Sequence, residues 1–142
     1  MPTEFQQHCE TIEESYEFTL SYAAQGHGPN DVGPQGQQLR NHLTRAVKAM
    51  RALEASSAVA VAGEHLQPAA PYETFLKVLA RDAQDSIAAV ELVLAQPGIS
   101  SQLIDNLNAS IHLRALLTDI FLFAEILESH QAQAMASQHV VG

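Results

Sequence analysis

Apolar positions recur at steps of three and four along most of the chain. Phe5, Cys9, Ile12, Tyr16, Leu20 and Ala23 define one face of a helix over residues 3–25. Its other side is acidic, with Glu10, Glu13, Glu14 and Glu17. A second stripe, Leu39, Leu43, Ala46, Met50, Leu53 and Ser57, predicts a helix over 37–62, with Gly63 as its stop. A third, Phe75, Leu79, Ala83, Ile87, Val90 and Leu94, predicts a helix over 71–96, opened by Pro71 and closed by Pro97-Gly98. Ser100 or Ser101 can cap a fourth helix over 100–130. A tail, residues 131–142, either extends that helix or frays. Between the first two helices, residues 26–36 hold four glycines and two prolines, which predicts a flexible loop.

The fourth segment is apolar on more than one side. Leu113, Leu117, Ile120, Ala124 and Leu127 form one face, and Leu116, Phe123 and Ile126 form another. A helix apolar on two faces needs two coverings. In a domain of four helices the second covering is expected to be an identical chain, so Leu116, Phe123 and Ile126 are the expected interface.

No strand pattern competes, and 142 residues suit one domain. The reading is all-α: an antiparallel, up-down-up-down four-helix bundle that dimerises. Charge layout supports the order of the first two helices. Glu10 and Glu14 on the first are expected to face Arg45, Lys48 and Arg51 on the second, setting which helices become neighbours.

Composition then narrows the function. Sixteen acids against seven bases give a net charge of -9, which argues against nucleic acid and against an anionic membrane surface. No apolar run reaches membrane-spanning length, and the first residues lack the pattern of a signal peptide. The single cysteine, Cys9, cannot form an internal disulfide, and a cytoplasmic location is expected. Charged residues make up only 16% of the chain, which suits a surface partly covered by another subunit.

Chemistry-bearing motifs are scarce. The Glu-x-x-His of di-iron bundles is missing, and no two of the seven histidines stand three or four apart. Phosphate-binding glycine loops and nucleophile elbows are also absent. Cys9 belongs to an apolar stripe and reads as core. His112 and Asp119, seven residues apart in a very apolar helix, share a face and each need a partner. The leading reading is a non-catalytic protein with no cofactor that binds a protein partner or small ligand, in a regulatory or assembly role. The alternative is a metal-binding bundle with storage or oxidoreductase activity, its ligands Glu13, Glu17, His112 and Asp119. A third reading gives the surplus apolar face to a larger assembly.

Overall fold

A computed structural model describes residues 2–31 and 33–141, with side chains described as far as residue 136. Five helices follow one another: α1 (Glu4–Ala24), α2 (Pro34–Gly63), α3 (Ala69–Leu94), α4 (Ser101–Ala109) and α5 (Ile111–Val141). No strand occurs among the described residues. No helix there is long and apolar enough to cross a membrane.

Each boundary has a local cause. Thr3 caps α1 through a capping box: its hydroxyl accepts the Gln6 N–H, and the Gln6 side chain accepts the Thr3 N–H. Pro34 opens α2 three residues earlier than the periodicity suggests, because proline at the first helical position gives up only an N–H that has no partner there.

The stop of α2 is also displaced. Gly63 is helical, and His65 takes the left-handed conformation at φ 51°. The Leu66 N–H donates to the Val61 carbonyl and the His65 N–H to the Ala62 carbonyl, the two bonds of a Schellman ending. Leu66 is buried beyond it. A left-handed residue other than glycine costs roughly 1–2 kcal/mol. His65→Gly is therefore expected to stabilise the fold by about 0.5–1 kcal/mol, read as a higher urea midpoint. An unchanged or lower midpoint would contradict this account of the turn.

The fourth helix is two helices. Ser110 leaves helical geometry at φ -64°, ψ 142°, and its hydroxyl accepts the Leu113 N–H at 3.3 Å. It ends α4 and caps α5, a role that serine plays without any glycine or proline nearby. Beyond residue 130 the helix continues to Val141.

Packing follows from these pieces. α1 lies beside α2, α2 beside α3, and α3 beside α5, while α4 sits on α1. α3 and α5 run antiparallel: Ser86 donates to the His112 carbonyl at one end, and Tyr72 approaches His130 at the other. α1 runs antiparallel to the α4–α5 pair, with Tyr22 bonded to the Ile99 carbonyl and Gln6 bonded to Gln131.

The second apolar face of the fourth segment is internal. Leu116 is 0% exposed and Phe123 1%. The Phe123 ring meets Phe5 edge-on at 5.2 Å and stacks against Phe75 at 6.1 Å. The expected interface through Leu116 and Phe123 is thus corrected, and Ile126 is half-buried. α5 has α1, α3 and α4 as neighbours in its own chain, so both faces are covered without a second copy.

The charge pairing is corrected as well. Arg51 donates to Glu91 of α3 at 2.8 Å, not to an α1 glutamate. Arg40 and Arg51 are eleven residues apart, three helical turns, and so share the flank of α2 that meets α3. Arg45 approaches the His42 ring, and Lys48 is exposed; neither pairs with Glu10 or Glu14.

Candidate functional site

Two places gather polar groups. One joins the end of α1, the loop before α2 and the start of α4. The His27 ring stacks on Tyr22 at 4.3 Å, and its Nδ1 lies 2.7 Å from Asp31 Oδ2. Asp31 also accepts the Gly33 N–H, and these two contacts hold its carboxyl below the usual carboxylate range. Ser101 N–H donates to the His27 carbonyl, Ser101 Oγ accepts the His27 N–H, and the same hydroxyl donates to the Tyr22 carbonyl. The segment read as a flexible loop is therefore pinned to α4 at His27. Arg40 donates to the carbonyls of Leu94, Gln96 and Pro97, closing the end of α3.

A pocket of about 140 Å³ opens here, lined in part by Tyr22, Asp31, Gly36 and Arg40. Its polar groups are already engaged. The Tyr22 hydroxyl donates to the Ile99 carbonyl at 2.6 Å, and the Arg40 guanidinium holds three carbonyls. This corner is a clasp between elements. Hydrophobic spacing carries no mark of it; His27 and Asp31 at a four-residue spacing are its trace in the sequence.

The second place is the outer face of α5 beside α3. Asp119 is 8% exposed, and its Oδ2 has no hydrogen-bond partner. Asp82 of α3 is its neighbour. Burial first, and Asp82 second, push the Asp119 carboxyl up from the ordinary 3.8 to about 7. Ala109, Ile111, Arg114, Ala115, Thr118 and Asp119 line an open depression of about 520 Å³. Of these Ile111 is 75% exposed, and further along α5 the apolar Leu122, at 51%, and Phe121 are exposed as well. Arg114 is exposed and forms no ion pair among the described residues.

The Asp119 shift fixes a pH dependence. Between roughly pH 4 and pH 7 the folded chain holds a proton that the unfolded chain has released. Across that window the stability of the dilute chain is expected to fall as pH rises, and to level off above it. Asp119→Asn should flatten this slope, leaving the part that the raised Glu13 carboxyl contributes. Urea midpoints of both proteins at the two ends of the window measure it; equal slopes would contradict the assignment.

The four residues of the metal reading are not brought together. Among the described residues no three His, Cys, Asp or Glu side chains are grouped to hold a metal ion. Glu13 faces Glu10, Glu17 and Glu128 of α5; burial first, then these charges, raise its carboxyl. Glu128 and Asp119 are nine residues apart, about half a turn round α5, so Glu13 and Asp119 serve opposite flanks of that helix. The His112 side chain is exposed, and its carbonyl accepts from Ser86. Cys9 is buried, which with Glu13 and Glu10 pushes its thiol up to about 12, so it has no thiolate character at neutral pH.

Comparison of the chain with known protein families, with curated proteins and with solved structures finds no match.

Proposed function

We propose that the chain is a non-catalytic binding protein, regulatory or assembly in role, that engages a protein partner through the outer face of α5. In this reading the helices form a four-helix bundle whose fourth member is split at Ser110. The protein acts in the cytoplasm, without a cofactor, as its lone buried thiol suits. The carrying observation is Asp119: a buried carboxyl with an unpartnered oxygen beside an open depression, on a helix that also exposes Ile111 and Leu122. A buried polar atom without a partner is costly, and exposed apolar side chains on the same helix suit a contact surface.

The test is a photo-crosslinking residue placed at Leu122 in cells, with Val59, exposed on α2, as the control. The reading expects a discrete crosslinked product from position 122 and none from position 59. Equal yields, or no product from 122, would overturn it.

A further inference from the structure

We infer that the partner is a second copy of this chain, the two α5 helices lying parallel and in register, with Arg114 of each reaching Asp119 of the other. The inference rests on the binding role proposed above and names its partner. It is carried by the order of residues on the exposed face. Ile111, Ala115, Thr118 and Leu122 are spaced by four, three and four, which is the a/d seam of a coiled coil. Arg114 and Phe121 flank the seam on one side, at g positions. Asp119 and Ile126 flank it on the other, at e positions.

In a parallel pair, the g side chain of one helix meets the e side chain five residues further along its partner. Both flanking pairs here match across that step: Arg114 with Asp119, a cation with an acid, and Phe121 with Ile126, apolar with apolar. An antiparallel pair brings like flanks together. It would set Arg114 beside its own copy's flank and the Asp82–Asp119 acids beside theirs, so charge alone selects the parallel arrangement.

The guanidinium is suited to this place. It has five donors and forms no ion pair among the described residues, and Asp119, with Asp82 alongside as a second carboxyl, lines the depression that Arg114 also lines. The small Ala115 and Thr118 at the centre let the two helices approach closely. The next seam positions, Glu125 and Ser129, are polar, so the contact spans about two heptads. That places it at the small end of specific interfaces.

Cysteine pairing tests the inference. In a parallel pair each seam residue meets its own copy. Ala115→Cys and Leu122→Cys, made separately, should each give a disulfide-linked dimer under mild oxidation, and Val59→Cys should give none. Arg114→Glu, at an exposed position, should lower the linked fraction of Leu122→Cys by about tenfold. Mixing that protein with one carrying Asp119→Lys and Leu122→Cys should restore it, because each chain then meets its complement. Linkage at neither seam position, or at only one, overturns the inference. If neither position links while position 122 crosslinks in cells to a protein of another mass, the copy is wrong and the binding role stands. If both experiments are blank, both readings fall.

Discussion

Phe123→Ala is expected to destabilise the single chain by about 3–5 kcal/mol, the usual cost of emptying a core aromatic site. The ring is enclosed by Phe5 edge-on, by Phe75 stacked, and by Tyr72 at 6.4 Å. These come from α1 and α3, so the site ties three helices together and cannot collapse by moving one of them. A urea titration in dilute solution measures the loss. An interfacial Phe123 would behave differently: its removal would leave the dilute chain's midpoint unchanged and alter only its mass at high concentration. That outcome would contradict the internal placement of the second apolar face.

Gly98→Ala is expected to cost about 3 kcal/mol or more, at or above the upper end for overpacking. A Cβ at Gly98 would overlap the carbonyl of Pro29. The obstacle is backbone, so no rotamer change relieves it. The loop before α2 would have to leave the α3–α4 connection, breaking the two hydrogen bonds between the His27 backbone and the Ser101 N–H and hydroxyl. The control is Gly63→Ala, where a Cβ meets nothing within 4 Å and the residue is helical. That change should be neutral or stabilise by up to about 1 kcal/mol. Comparable losses at both positions would show that Gly98 is not specially constrained.

Much of the helical framework was legible in the stripes. The first three helices carry the apolar spacing that predicts them, and buried Leu39, Leu43, Leu53, Leu79 and Val90 fall on those stripes. The break at Ser110 was not legible, since periodicity on either side continues through it and serine only marks a cap once the chain has turned. The assignment of Leu116 and Phe123 failed for a related reason. Periodicity shows that a second face needs covering, but whether the cover comes from the same chain depends on how many neighbours α5 has.

The candidate site was visible only in part. Asp119 stood out as an acid in an apolar helix, and the structure gives it Asp82 and an unpartnered oxygen. Asp82 comes from another helix, and nothing local in the sequence links it to Asp119. The clasp of Tyr22, His27 and Ser101 is long-range in the same sense: Ser101 is seventy-four residues from His27.

The proposed pairing of α5 with its own copy sets the mass of the protein in solution. The most direct measurement is the molar mass of wild type and Leu122→Glu by sedimentation equilibrium over the micromolar range. Leu122 is half-exposed, so the dilute variant should keep the wild-type urea midpoint. Wild type is expected to approach twice the mass of its chain as concentration rises, while Leu122→Glu stays at the mass of one. Identical masses for the two proteins across the range would contradict it.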